Sequence, residues 1–169
     1  MSKDVHVISP NIDRNKAAGL LSAYSGSFLP QVQRLIYYPY LWIHYLYSVK
    51  TFLGHRSIRA YILVDLVHNI ASTADAFEHT LLSTEEESLI RAKTSVEDAR
   101  KTAETYLLHS AIHKMKTLLL PSAVVQEEQV IYKPFWIVRC SDRRRRTFHI
   151  LVDGITGKHE ILNLQGDDL

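Results

Sequence analysis

The sequence has one cysteine among its 169 residues, and it has almost no excess of charge of either sign. One cysteine excludes an internal disulfide framework and any zinc site built from several thiolates of this chain. The 20 Lys and Arg residues face 18 Asp and Glu residues, which leaves a net charge of +2. This balance gives no global basic field that would attract nucleic acid or a membrane surface. The first residues lack an apolar core of secretory length, so we expect a cytoplasmic protein.

Long hydrophobic runs and catalytic motifs are also missing. The most apolar stretch, residues 35–53, is interrupted by Pro39, His44 and Lys50, so no membrane span is predicted. The chain has no glycine-rich phosphate loop, no nucleophile elbow and no dinucleotide fingerprint. We therefore expect no cofactor and no catalytic residues, and a binding protein is favoured over an enzyme.

A short pattern occurs twice in this chain. It reads Ile-Tyr-x-Pro-aromatic, with a tryptophan within three residues of the proline, and is followed later by Ile-Leu-Val-Asp. The first copy occupies residues 36–40 and 62–65, and the second occupies residues 131–135 and 150–153. Two matched segments in the same order favour a tandem duplication.

Local signals divide the chain into helices and strands. Asn11–Asp13 can cap a helix that runs to Leu21, and Ser83–Glu87 has the form of a capping box that starts another helix. A stripe of apolar residues predicts a longer helix over 96–116. Alternating aromatic and β-branched residues predict strands. These strands cover residues 35–53, 59–66, 130–140, 147–152 and 158–162.

The second half of the chain resembles the PepSY-like and cystatin-like modules, in which a helix packs on a curled antiparallel sheet. The likeness covers residues 94–162. It is carried by the helix start at 95–99, the aromatic strand around Pro134 and Phe135, and the strand and turn at 150–157. The resemblance implies a module that binds or inhibits another macromolecule and has no catalytic residues.

These observations predict an α+β fold of two related helix-plus-antiparallel-sheet units, with strand hairpins curled on helices. The first unit is expected over residues 1–82 and the second over 83–169, and fusion of both into one compact domain is the alternative. We expect Pro39 and Pro134 at equivalent points of the first strands, and Asp65 and Asp153 at equivalent strand ends. The helix that begins at Val96 is expected to cover the second hairpin and to bury a set of its own residues. These residues are Ala99, Ala103, Tyr106 and Leu107.

The only dense basic run is placed at the predicted tip of the second hairpin. Guanidinium groups suit phosphates, so this tip is a candidate site for nucleic acid or another polyanion. The candidate residues are Arg139, Arg143, Arg144, Arg145 and Arg146. Lys133 and Lys158 extend the patch, and Trp136 or Phe148 would stack on bases if exposed. The alternative is an ordinary solvated turn, which the low net charge favours.

The strand at 36–49 is unusually aromatic and is the candidate interface. Its candidate residues are Tyr38, Tyr40, Trp42, Tyr45 and Tyr47. One face of such a strand, left exposed, would be covered by a partner or by a second copy of the chain. A homodimer is favoured over the alternative, in which residues 69–94 fold over this face within one chain.

Three further candidates concern reactive side chains. His109 and His113 lie four residues apart on the predicted helix and could share a metal ion, although the chain has nine histidines and a surface pair is the expected alternative. Asp65 and Asp153 could act as an acid and base pair, but an aspartate after a strand more often starts a turn. Cys140 is either a reactive thiol or a buried apolar residue.

The favoured function is therefore that of a non-catalytic binding or scaffold protein, which acts on an unknown protein partner or on itself. The alternatives are a polyanion-binding module that uses the arginine run, and a metal-dependent enzyme that uses His109 and His113.

Overall fold

The computed structural model of this protein describes residues 2–24, 29–51, 54–115, 123–141 and 146–162. The fold is mixed α+β, as expected, and consists mostly of strands. Its elements in chain order are β1 (Ser2–Val7), α1 (Arg14–Tyr24), β2 (Leu29–Thr51), β3 (Gly54–Asp65), β4 (Ile70–Ala74), β5 (Thr80–Glu85), α2 (Val96–Met115), β6 (Ala123–Ser141), β7 (Thr147–Asp153) and β8 (His159–Leu162). Neither helix of the described residues has the length and apolar character needed to cross a membrane.

Both helices start at the residues whose side chains predict a cap. The carboxylate of Asp13 accepts a hydrogen bond from the amide of Lys16 at 2.8 Å. The hydroxyl of Ser95 accepts one from the amide of Asp98 at 3.1 Å. Each bond satisfies an amide that has no partner inside its helix, which fixes the first turn.

The helix start predicted at Ser83–Glu87 is wrong. Residues 80–85 form strand β5, and only Glu86–Ser88 adopt a short 3-10 turn. β5 pairs with β1 in antiparallel register, from Ser2 opposite Glu85 to Val7 opposite Thr80. The local capping signal is overridden because β1, a strand that the sequence did not predict, supplies the backbone partners.

By contacts the chain divides into two compact units, and each takes segments from both halves of the sequence. The first unit contains residues 1–38, 79–90 and 132–169, and the second contains 39–78 and 91–131. The boundaries of these units therefore do not follow the expected division between residues 82 and 83. The long strands β2 and β6 each continue from one unit into the other.

In the second unit, helix α2 packs on the hairpin of β2 and β3. These strands pair from Tyr40 opposite Asp65 to Thr51 opposite Gly54, and β4 pairs with the outer side of β3. Ala99, Ala103 and Leu107 are buried as expected, and Tyr106 is half-buried. The expected partner sheet is wrong, however, because these residues pack on the first hairpin and not on the second. Their buried neighbours are Leu41, Ile43, Tyr45, Ile62, Val64 and Leu66.

In the first unit, helix α1 packs on the hairpin of β6 and β7. The pairing starts with Phe135 opposite Asp153, and β8 pairs with β7. Ala17 and Leu21 of α1 are buried in this core. Their buried neighbours are Val32, Val138, Cys140, Ile150 and Val152. A helix from the first half of the chain thus covers a hairpin from the second half.

Each hairpin is joined to the helix that covers it by a relay of backbone hydrogen bonds. In the second unit, the amide of Leu66 donates to the carbonyl of Pro39, and the carbonyl of Leu66 accepts from the amides of Lys93 and Thr94 just before α2. These three bonds are 2.8–3.2 Å long. The relay places the start of α2 at the end of β3.

The first unit contains the same relay. The amide of Gly154 donates to the carbonyl of Pro134 at 2.9 Å, and the carbonyl of Gly154 accepts from the amides of Asn11 and Ile12 just before α1. Pro39 and Pro134 are both buried, and each lacks an amide donor of its own. The two prolines therefore occupy matching hydrogen-bond positions in their units.

We expect alanine substitutions at two glycines to change stability in opposite directions. A Cβ at Gly154 would lie 2.8 Å from the carbonyl oxygen of Pro134, so Gly154→Ala strains the relay and should cost roughly 1–3 kcal/mol. A Cβ at Gly19, inside α1, meets nothing within 4 Å. Gly19→Ala should therefore stabilise the protein by about 0.5–1 kcal/mol through helix propensity.

Denaturant unfolding of both variants beside the wild type measures these changes. Equal stability of Gly154→Ala and the wild type would contradict the tight packing of this turn on Pro134.

Candidate functional site

Asp65 and Asp153 both start turns at the ends of their strands. In each turn one carboxylate oxygen accepts hydrogen bonds from the amides two and three residues further on. The distances are 2.7 and 3.0 Å at Asp65, and 2.9 and 3.2 Å at Asp153. Each turn ends in a residue of positive φ, Asn69 at 55° and Gly157 at 73°, whose amide donates to the carbonyl of the aspartate. These bonds support the structural role that the sequence favoured for both carboxylates.

The second oxygen of each aspartate has a different partner. At Asp65 it lies 3.0 Å from Nδ1 of the exposed His68. At Asp153 it accepts a hydrogen bond of 2.6 Å from Nζ of Lys133, and only 8% of Asp153 is exposed. The ammonium group of Lys133 also lies 5.1 Å from the centre of the Phe135 ring. Asp153 is thus part of a half-buried ion pair, which Asp65 is not.

Two effects on the pKa of Asp153 oppose each other. Burial raises this pKa. The hydrogen bonds from Lys133, Ile155 and Thr156, together with the positive charge of Lys133, lower it by a larger amount. The net result is a pKa below the usual value for aspartate. Asp153 is therefore ionised at neutral pH and is not suited to act as a general acid.

A small pocket lies beside this ion pair in the first unit. It encloses about 300 Å³, and its walls come from β6, β7, β8 and the turn between β7 and β8. The lining residues are Phe135, Leu151, Asp153, Lys158, His159 and Glu160. A lining that combines apolar and charged side chains is typical of sites that bind a side chain or a small molecule.

A second, more open groove lies between α2 and β4 in the second unit. It encloses about 460 Å³. The lining residues are Asn69, Ile70, Ala71, Lys101, Thr102, Thr105, Tyr106 and His109. Across this groove the hydroxyl groups of Thr73 and Tyr106 lie 3.0 Å apart. The groove thus combines polar side chains of the helix with the outer edge of β4.

The aromatic strand has two faces, as its alternation predicts. Tyr45 is buried against α2, and burial, followed by the charges of Glu104 and Glu128, raises its pKa to about 12. Trp42 lies on the other face, where its ring stacks on that of Tyr61 at 5.7 Å and contacts that of Phe77 at 5.6 Å with a tilt of 52°. Phe77 belongs to the segment that was considered as a lid, so this segment covers part of the face.

The candidate interface residues therefore differ in exposure. Trp42 and Tyr45 are buried within this chain. Tyr38, Tyr40 and Tyr47 are half-buried, and the ring of Tyr38 contacts Phe135 edge-on at 6.2 Å. Only these three tyrosines keep enough surface to contact a partner.

The basic run can be placed only in part. Arg143, Arg144 and Arg145 lie outside the described residues, while Arg139 and Arg146 are exposed. The rings that were expected to stack on bases are used in packing: Nε1 of Trp136 donates to the carbonyl of Ile12 at 2.7 Å, and Phe148 packs in the core under α1. Polyanion binding stays a prediction.

Only one of the two metal candidates can be placed. His109 is exposed on α2, and the side chain of His113 lies outside the described part of the chain. Within the described ranges, no three His, Cys, Asp or Glu side chains are placed to hold one ion.

Sequence reasoning did not identify the ion pair of Lys133 and Asp153. A signal for it exists in the repeated pattern, because Lys133 is the variable residue of Ile-Tyr-x-Pro and stands two positions before Phe135. The register that puts Phe135 opposite Asp153 places Lys133 on the same face of the sheet. That register could be read only from the structure.

The ion pair predicts a specific acid dependence of stability. The folded pKa of Asp153 is below its unfolded value, so its contribution is complete above about pH 4 and is lost as the pH falls through the folded pKa. Asp153→Asn should cost about 1–3 kcal/mol at neutral pH, because Lys133 is left half-buried without its counter-charge. The variant should also lose less stability than the wild type on acidification.

Urea unfolding at neutral and acidic pH measures both effects, with Asp65→Asn as the control at the equivalent turn, where the partner His68 is exposed. An acid dependence that is the same in Asp153→Asn and the wild type would exclude this pair as its source.

Cys140 is fully buried, and burial raises the pKa of its thiol. We expect the thiol of the folded protein to react with an aromatic disulfide reagent only as fast as the surrounding core opens locally. After unfolding in denaturant the same thiol should react rapidly. Fast reaction of the native protein would contradict this packing and would restore Cys140 as a reactive candidate.

Comparisons with known proteins yield no match: no family model, no curated protein and no solved structure corresponds to this chain. The assignment of a function therefore depends on the pockets, edges and hydrogen bonds of this structure.

Proposed function

We propose that this protein is a non-catalytic binding protein that takes an extended segment of another chain, or of a second copy of itself, onto edge strands β4 and β8. One observation carries the proposal: each of these strands ends its run of paired strands, borders a pocket, and exposes a large isoleucine. Ile70 on β4 and Ile161 on β8 are both 63% exposed. β4 pairs only with β3, and β8 only with β7, among the described strands.

The chemistry of an edge strand suits this function. Its outward amides and carbonyls are available to pair with an added strand, which supplies affinity, and a neighbouring pocket that accepts alternate side chains supplies specificity. Beside β8, the pocket offers the apolar surfaces of Phe135 and Leu151 with Lys158 and Glu160 at its rim. An extended segment with one apolar side chain and flanking charges matches this arrangement.

The proposal includes a tandem duplication of a strand–helix–three-strand unit, in which the helix of each copy covers the hairpin of the other copy. What supports the duplication is the order of elements, β1-α1-β2-β3-β4 and then β5-α2-β6-β7-β8, and the repeated proline relay and aspartate turns. Duplication explains why two equivalent edges exist. The PepSY-like or cystatin-like ancestry of the repeated unit, and a cytoplasmic location, belong to the proposal as well.

Charge on the edges should weaken association. We expect the wild type to self-associate in the micromolar range, and Ile70→Lys or Ile161→Lys to weaken this association at least tenfold, since a lysine on an edge opposes strand addition. Leu29→Lys is the matched control, because Leu29 is an apolar residue that is 78% exposed and lies on β2, outside the two proposed edge strands. Light scattering over a concentration series measures the effect.

If the wild type is monomeric at every concentration, a photo-reactive residue at position 70 or 161, expressed in cells, tests the alternative of a different partner. Adducts that form at these positions and not at position 29 support the proposal, and equal labelling at all three positions would refute it.

A further inference from the structure

Two histidines that are far apart in sequence meet on the outer face of the β1–β5 ladder. His6 lies on β1 opposite Leu81, and His79 directly precedes the first residue of β5. Their Nδ1 atoms are 3.2 Å apart. The ring centres are 5.0 Å apart, and the ring planes are nearly perpendicular at 86°.

The opposite face of the same ladder forms a core. Val5 and Val7 are buried there, and Leu82 packs against them. Because neighbouring residues of a strand point to opposite faces, His6 points away from this core, towards the side where Leu81 is 63% exposed, and His79 contacts His6. The imidazole pair is therefore half-buried at the surface, where water and small ions have access.

We propose that His6 and His79 form a two-imidazole site for a divalent transition-metal ion, with copper(II) bound most tightly. Two imidazole nitrogens that each lie about 2.0–2.1 Å from one ion are separated by about 2.9 Å at the right angle of a tetragonal copper(II) site and by about 3.4 Å at a tetrahedral angle. The observed separation of the Nδ1 atoms, 3.2 Å, lies between these two values. The ion then takes its remaining ligands from water or from a bound molecule.

The same separation also fits a direct hydrogen bond between the rings, in which one Nδ1 carries a proton. Metal binding requires both Nδ1 atoms as lone-pair donors, with the ring protons on the Nε2 atoms. Imidazole suits copper, nickel and zinc, and the order of stability puts copper(II) above zinc and nickel. Magnesium prefers oxygen ligands, so it should not bind here.

Copper(II) titration of the purified full chain tests the site. We expect one ion to bind the wild type, and His6→Ala or His79→Ala to lower its affinity at least tenfold. His109→Ala is the matched control, because His109 is an exposed histidine on α2 with no part in the pair. His79→Asn keeps a polar group of similar reach and is used if either alanine variant is destabilised.

Electron paramagnetic resonance separates this site from adventitious binding. Nitrogen splitting from two imidazoles is expected in the wild type and in His109→Ala, and it should be lost or reduced in His6→Ala. An unchanged affinity in all His6 and His79 variants, or an unchanged spectrum, would show that the rings form only a hydrogen-bonded pair and would overturn the proposal. The result is independent of the edge-strand function, because β4 and β8 carry neither histidine.

Discussion

The structure depends on one repeated constraint: a buried strand proline whose carbonyl must find a donor. Pro39 and Pro134 have no amide of their own, and the carbonyl of each accepts from the residue after a turn aspartate. That residue then accepts from two amides at the start of a helix. Buried backbone groups are costly when unpaired, so the relay fixes the end of the hairpin and the start of the helix together. The helix is thereby held over a hairpin from the other half of the chain.

Each helix of the described residues covers a hairpin from the other half of the chain. Each helix is covered on one stripe by strands that lie far away in sequence, and each core joins residues from both halves. Helix α1 in the first half covers the hairpin of β6 and β7 in the second half, and helix α2 in the second half covers the hairpin of β2 and β3 in the first. Each core therefore needs residues from both halves of the chain.

The two aspartate turns differ in their partners and in their surroundings. Asp65 pairs with an exposed histidine, whereas Asp153 pairs with Lys133 beside a pocket. The turn after Asp65 continues with Leu66, and the turn after Asp153 continues with Gly154, which packs on Pro134. The pocket at β8 and the groove at β4 also have distinct linings.

Much of the local structure was determined by the sequence alone. The caps at Asp13 and Ser95, the hairpin strands, the aspartate turns and the matched prolines follow from side-chain chemistry within a few residues, and the structure has them at the expected positions. Only the tertiary structure decided that α2 covers the first hairpin, that residues 80–85 pair with β1 instead of starting a helix, and that His6 meets His79. Each of these depends on contacts between residues more than 30 positions apart, up to 83 for Ser2 and Glu85. Local propensity carries no information about such partners, because the free energy that selects them comes from burial and strand pairing.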